Sequence, residues 1–246
     1  MQENNNKALK RVVLLVVIVL PSVFYLLMTM GKHNFIYLPN VVYVNNNFDV
    51  DRNGKEFDDK LNYKLNLPAS QVNQLQESKT PDLLTEGKKI YAVQFFEKDS
   101  ANILDASLFY KAQTQLAEKV RGFDVQLLTF YRSKNGIEIF NKVREKIDKK
   151  FTNWSHVQLS TSDFDFLKNQ VFIEPVKSIG IEDSRKFVIF DKNWQMRTGY
   201  DKQNENKYIF AYDAGREYDL KLIVEDLKLL VAEYQRELKN KKENEK

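Results

Sequence analysis

Cysteine is absent from the 246 residues, and this absence removes more chemistry than any residue present supplies. No disulfide, thiolate nucleophile, iron–sulfur cluster or Cys-ligated zinc or copper site can form. Histidine occurs only twice, at His33 and His156, so a serine nucleophile has little to activate it. The four methionines (Met1, Met28, Met30 and Met196) are scattered and make no thioether cluster for a soft metal. No loop carries the oxygen-ligand spacing of an EF-hand. Basic and acidic residues are interspersed and the net charge is +4, which leaves no electrostatic footprint for nucleic acid.

Charge is also missing from one long stretch. Val12 to Met30 reads VVLLVVIVLPSVFYLLMTM, uncharged from end to end. As a helix it would span about 28 Å, close to the hydrocarbon thickness of a bilayer. Pro21 and Ser22 interrupt it, which a membrane helix tolerates. Lys7, Lys10 and Arg11 precede the run, and only Lys32 and His33 follow closely. The positive-inside rule places the N-terminus in the cytoplasm and exports the rest. A cleaved signal peptide would need a small-x-small site, and MTMGKHNF offers none. The expectation is a single-pass membrane protein with its soluble domain on the extracytoplasmic side, the periplasmic side of an inner membrane in a Gram-negative cell.

What remains is ordinary globular material, 43% hydrophobic and 29% charged. Residues 31–66 read as an Asn-rich linker with short extended segments, including an edge strand at Ile36 to Val44 and a turn at Asp51-Arg52-Asn53-Gly54. Ile90 to Phe96 (IYAVQFF) has the mostly apolar character of a strand buried on both faces. Leu104, Leu108, Ala112, Leu116 and Val120 follow at helical spacing. Val125 to Tyr131 predicts a second strand, Ile137 to Ile147 a second helix, Trp154 to Leu159 a third strand, and Ser162 caps a short helix to Leu167. Lys186 to Phe190 and Gln195 to Tyr200 predict a hairpin across Asp191-Lys192-Asn193. Leu220, Ile223, Leu227, Leu230, Tyr234 and Leu238 mark one face of a last helix. The order is βαβαβ then ββα. Alternating units imply parallel strands, and the hairpin adds an antiparallel edge, which together describe an α/β, thioredoxin-like soluble domain behind one N-terminal transmembrane helix. The division expected is a cytoplasmic N-terminus over 1–11, an anchor over 12–30, the linker over 31–66, the folded domain over 67–240 and a polar tail over 241–246.

The apolar anchor, the strand IYAVQFF and the stretch IEDSRKFVIFDKNWQMRTGYD together resemble the Sco/SenC family. Those proteins are membrane-anchored, thioredoxin-fold copper or thiol proteins of cytochrome oxidase assembly. The resemblance is one of order, spacing and local phrasing. The family's chemistry lies in a Cys-x-x-x-Cys after the first central strand and a His before the hairpin. The resemblance sets Ser100 and Leu104 at the two Cys positions and Asp183, before Ser184, at the His position. Copper(I) takes soft donors, and a hydroxyl, an alkyl group and a carboxylate are not such donors. Disulfide exchange needs a thiolate. The resemblance therefore implies the scaffold with neither copper nor thiol chemistry: no catalytic residue, no cofactor and no metal. Asp191 and the Tyr200-Asp201 pair match the family as scaffold.

Other candidates have plain explanations. Ser100 reads as a helix cap. His156, alternating with Val157 and Leu159, points to solvent or a local hydrogen bond. Asp163, Asp165, Glu182 and Asp183 read as solvated carboxylates rather than a hard-cation site, and Asn153-Trp154-Ser155 as a chance glycosylation motif. Phe95, Phe96, Phe109, Tyr110, Phe130 and Tyr131 read mainly as core. The function expected is a non-catalytic accessory or assembly protein that works by contact with a membrane complex, a respiratory oxidase being one possibility. Its candidate interface is Glu97 to Leu104 with Ile179 to Ser184, and Glu97, Ile103, Ile179 and Ser184 are the residues singled out. A copper or electron carrier with a non-standard site and a structural subunit of an envelope machine are the alternatives. Single Cys probes in this Cys-less chain test the topology. An impermeant maleimide applied to intact cells should label Cys placed at Asn40 and spare Cys placed at Asn5; the reverse pattern would overturn the N-in orientation.

Overall fold

The structure, a computed structural model, describes residues 38–44, 47–51, 61–65, 89–96, 113–132, 150–181, 183–200 and 207–244, with Val19, Pro21 and Lys111 besides. The chain divides into two compact units, Met1–Ile36 and Tyr37–Lys246. The first is described only at Val19 and Pro21, both helical, so the expected anchor otherwise lies outside the described residues. Among those, no helix is long and apolar enough to cross a membrane.

The second unit is built on a mixed sheet. Its strands are β1 (Asn40–Val44), β2 (Asn47–Asp51), β3 (Leu61–Asn62), β4 (Ile90–Phe96), β5 (Val125–Arg132), β6 (Trp154–Leu159), β7 (Lys186–Phe190), β8 (Met196–Arg197) and β11 (Tyr212–Asp213). β9 (Gly199–Tyr200) and β10 (Tyr208–Ile209) pair separately. The main order is β2-β1-β8-β7-β4-β5-β6, with β3 paired to β1 and β11 to β7. β4, β5 and β6 run parallel, while β7 is antiparallel to β4 and β8 to β7. The segment β8-β7-β4-β5 is the thioredoxin-like arrangement expected from the order of elements.

Alternation across these strands feeds two cores. Ile90, Ala92, Leu127 and Ile189 pack on one face with Leu116 and Val120 of the 113–120 segment and with Leu220, Ile223, Leu227 and Leu230. Those last four belong to α3 (Glu217–Asn244). On the other face Tyr91, Val93, Phe95, Phe130 and Val188 meet α1 (Thr161–Val171) through Phe164 and Leu167, and α2 (Glu174–Lys177) through Val176. The result is a sheet between two helical layers. β4, β5 and β7 are buried on both faces, which is why their sequences are apolar almost without a break.

Several expectations are corrected. The hairpin is not the sheet's edge, because β1 and β2 add beyond β8. β1 is no edge strand either, since it lies between β2 and β8. The strands inside 31–66 are hydrogen-bonded into the sheet, with Val41 and Val42 buried. The second hairpin strand is shorter than expected: β8 ends at Arg197, and Gly199–Tyr200 pairs with β10 instead. Ser160 caps α1, not Ser162; its hydroxyl accepts from the Asp163 amide at 3.1 Å. α3 runs on to Asn244, into the expected polar tail, and its Leu238 is exposed. Asn153 is buried and donates to the Ala117 carbonyl at 2.9 Å, which gives that side chain a structural role. Asn40 holds a buried Oδ1 in β1, so exposed Asp49 on β2 is the better labelling position in this unit.

One buried ionic node joins the distant parts. Arg197 donates to the Leu38 carbonyl through Nε at 3.0 Å and also through Nη2. Its Nη1 reaches Asp191 Oδ2 at 3.3 Å, and Nη2 reaches both Glu233 oxygens at 2.8 and 2.9 Å. Asp191 Oδ1 accepts from the amides of Asn193 and Gln195 at 2.9 and 3.0 Å, which shapes the β7–β8 turn. Asp191 is thus scaffold. At the tip of that turn Trp194 has φ 59° and stacks on Tyr91, centroids 4.0 Å apart. Gly199 is required by a second node: a Cβ there would collide with the Tyr212 hydroxyl, which itself donates to Asp226 at 2.6 Å.

Arg197→Met would strand two buried carboxylates and should cost about 3–5 kcal/mol, read as a lowered urea midpoint at unchanged slope. Glu233→Gln keeps an acceptor and should cost less than about 1 kcal/mol near neutrality. Burial pushes the Glu233 carboxyl above its ordinary value, against the lowering pull of Arg197. Its linked stability is therefore complete below the ordinary carboxylate range and is lost as pH rises through the raised value. Glu233→Gln should flatten that part of the stability–pH curve.

Candidate functional site

The loop before β7 is where the resemblance sets the missing histidine. Asp183 opens a 3-10 turn, Asp183–Arg185. Its carboxylate is held by two ammonium groups: Lys168 Nζ lies 2.9 Å from Oδ2 and Lys186 Nζ 3.0 Å from Oδ1. Lys186 comes from the first residue of β7, and its side chain is only 2% exposed. Both lysines also face the Phe172 ring, at 5.8 and 5.4 Å from its centroid. Burial raises the Asp183 carboxyl, but the hydrogen bonds and charges of Lys168 and Lys186 outweigh it and hold the group below its ordinary value. This carboxylate is committed to cations of the chain itself.

The turn is anchored from below and behind. Gln94 of β4 donates to the Ser184 carbonyl at 2.6 Å. Gln113, in the helical segment on the other face, donates to Gln94 Oε1, and both glutamines are fully buried. A polar chain therefore runs from that helix through the sheet to the loop. Arg185 grips Asp213 with two bonds, at 2.9 and 2.7 Å. The described residues thus bring β4 next to the loop before the hairpin, as the thioredoxin-like reading requires.

The other singled-out positions fare differently. Glu97, Ser100, Ile103 and Leu104 lie outside the described residues, as do Phe109, Tyr110, Glu182 and Asp201. Ile179 is half-buried and packs against the core, and Ser184 is buried, so neither presents its whole side chain to a partner. Asp163 serves the α1 cap, and Asp165 pairs with Arg132. Among the described residues no three His, Asp or Glu side chains converge as metal ligands. His156 is half-buried with its ring centroid 4.6 Å from that of Trp154. The donors do not fit copper(I): there is no thiol in the chain, and Asp183 is a hard donor already neutralised by two lysines.

The cations around this turn come from separate elements of the chain. A cavity of about 360 Å³ opens beside the turn, lined by Arg132, Asp165, Lys168, Asn169, Phe172, Lys177 and Asp183. Arg132 ends β5, its guanidinium 4.8 Å from the centroid of the Phe164 ring. A signal was present, because Asp165, Lys168, Asn169 and Phe172 recur at the spacing of one helix face. Only the fold shows that this face meets the end of β5.

Asp183→Asn should cost about 1–2 kcal/mol at neutral pH, since it leaves Lys186 buried beside a neutral amide; partial exposure of the carboxylate moderates the loss. The stability Asp183 contributes is present above the ordinary carboxylate range and is lost as pH falls through its lowered value. The wild type and the variant should therefore converge in acid, as measured by urea denaturation across pH.

No family model matches the chain, and no curated protein matches it. Solved structures do. A SCO1/SenC family lipoprotein from Bacillus anthracis str. Ames is 17% identical over 58% of this chain and 82% of its own, with a TM-score of 0.40. BsSco, described as a member of the Sco family of cytochrome c oxidase assembly proteins, is 14% identical over 70% of this chain and 95% of its own, with a TM-score of 0.41. Arabidopsis thaliana ScoI with copper bound is 11% identical over 57% and 85%, with a TM-score of 0.34.

Proposed function

We propose that this chain is a non-catalytic, membrane-anchored accessory or assembly protein that uses a Sco-like scaffold to contact a membrane complex, with a respiratory oxidase as the first partner to seek. The observation that carries the reading is the state of Asp183. At the position where the resemblance expects a metal-binding imidazole, the chain has a carboxylate bound by Lys168 and Lys186. The absence of cysteine removes thiol exchange as well. The loop nevertheless keeps its supports in Gln94 and Arg185. A surface maintained in this way without the family's reactive groups suits docking better than transfer. The uncharged run at 12–30 supplies the tether, which raises the effective concentration of the domain near a membrane partner.

The contact face proposed is the first strand–helix junction, with Glu97 and Ile103, together with the loop around Ile179 and Ser184. Gly180 is a suitable probe, because a Cβ there meets nothing within 4 Å. Gly180→Glu should leave the urea midpoint nearly unchanged and reduce co-purification of membrane proteins in mild detergent, and Ile103→Glu is compared with it for folding and co-purification alike. Folded variants that keep every partner would remove this face from consideration. The full chain should bind copper(I) no better than an unrelated protein in competition with a chelator. A stoichiometric copper complex abolished by Asp183→Ala would reject the non-catalytic reading. Combining Ser100→Cys, Leu104→Cys and Asp183→His should restore some copper binding.

A further inference from the structure

The node at Arg197 is short of a proton donor. A guanidinium carries two hydrogens on each terminal nitrogen and one on Nε. Nη2 meets three acceptors, the Leu38 carbonyl and both Glu233 oxygens, the last two at 2.8 and 2.9 Å. Nη1 points to Asp191 Oδ2 at 3.3 Å, and Nε to the Leu38 carbonyl at 3.0 Å. One guanidinium thus faces two carboxylates. The side chains of Arg197, Asp191 and Glu233 are 5%, 2% and 9% exposed, so water screens them little. Tyr234 of α3 donates its hydroxyl to Asp191. Lys192 lies over the Tyr234 ring, 5.2 Å from its centroid, and pairs with Asp124 at 3.7 Å. Burial pushes the Glu233 carboxyl above its ordinary value. Glu237, one turn further along α3, adds to the rise, while Arg197 and the Leu38 amide oppose it.

What this node holds is the entry to the sheet. Leu38 accepts from Arg197 through its carbonyl and donates its amide to Glu233. Pro39 follows, its carbonyl accepting from the Thr198 amide at 3.0 Å. β1 then shares one described pair with β8, Asn40 opposite Arg197, against five with β2. The β1–β2 hairpin therefore keeps its own bonds when the entry lets go.

We propose that Glu233 and Arg197 form a proton-operated latch on Leu38 and Pro39. With Glu233 protonated, the node holds one cation and one anion. Its new O–H also adds a donor where acceptors outnumber hydrogens, and the latch is closed. With Glu233 ionised, the node carries an uncompensated buried charge, and release of Leu38 and Pro39 lets water reach it. Latching is complete below the ordinary carboxylate range and weakens as pH rises through the raised value. Release of these two residues lengthens the connection to the preceding chain by roughly 7 Å, at about 3.5 Å per extended residue. It also moves the point at which that chain leaves the domain. The latch works within one chain and requires neither a membrane partner nor the accessory reading.

Amide hydrogen exchange of the full chain in neutral detergent tests the latch, read by mass spectrometry from about pH 5 to about pH 8 and corrected for the intrinsic pH dependence of exchange. Peptides covering Leu38 to Val44 should exchange faster than those covering Ile90 to Phe96 of β4 at every pH, since the latch opens without global unfolding. Their protection should fall about tenfold as pH rises, the factor that one unit of pKa shift between latched and released states supplies. Glu233→Gln keeps the carbonyl acceptor and adds a donor, so it should hold Leu38 to Val44 protected across the range. The proposal fails if wild-type protection of that segment is flat with pH, or if it equals that of β4 throughout. It fails equally if Glu233→Gln retains the wild-type pH dependence. Should that variant not fold, the two wild-type outcomes still decide.

Discussion

The guanidinium of Arg197 is the point on which the rest of the fold depends. It ties the Leu38 carbonyl, at the approach to β1, to the Asp191 turn and to Glu233 on α3. These three segments are far apart in the chain and no local propensity brings them together. A buried ion cluster of this kind is a poor source of net stability, since desolvation offsets much of the attraction. Its effect is to make misassembly expensive: any arrangement that leaves one member unpaired leaves a charge in the core. The raised Glu233 carboxyl shows the same balance, with burial prevailing over the favourable charge of Arg197.

That node lets the sheet extend beyond its central strands. β4, β5 and β7 are apolar on both faces and form the centre, packed between two helical layers. The outer strands β1 and β8 share a single described pair, Asn40 opposite Arg197. Backbone pairing alone would hold them weakly, and the Arg197 side chain reinforces the junction from within. The Tyr212–Asp226 bond, reached closely by Gly199, serves α3 in a similar way.

The candidate site follows a related logic. Its loop is held by buried glutamines and by the Arg185–Asp213 pair, so its geometry does not rest on a metal or a disulfide. Asp183 is drawn to Lys168 and Lys186, so its carboxylate is occupied by cations of the chain itself.

The central strands, their order and the final helix were legible in the sequence, because hydrophobic period and run length report directly on burial. The lack of thiol chemistry was legible too, since it depends on composition alone. The outer part of the sheet was not. Val41 and Val42 read as part of a strand, but its place inside the sheet beside β8 and the role of Arg197 come from contacts such as Arg197 to Leu38, more than a hundred residues apart in the chain. The paired cations around Asp183 were hidden for the same reason: Lys168 lies on a helix, Lys186 on a strand and Arg132 at the end of another. Sequence period tells which way a residue faces within its own element. Only tertiary packing decides which charges from different elements share one cavity.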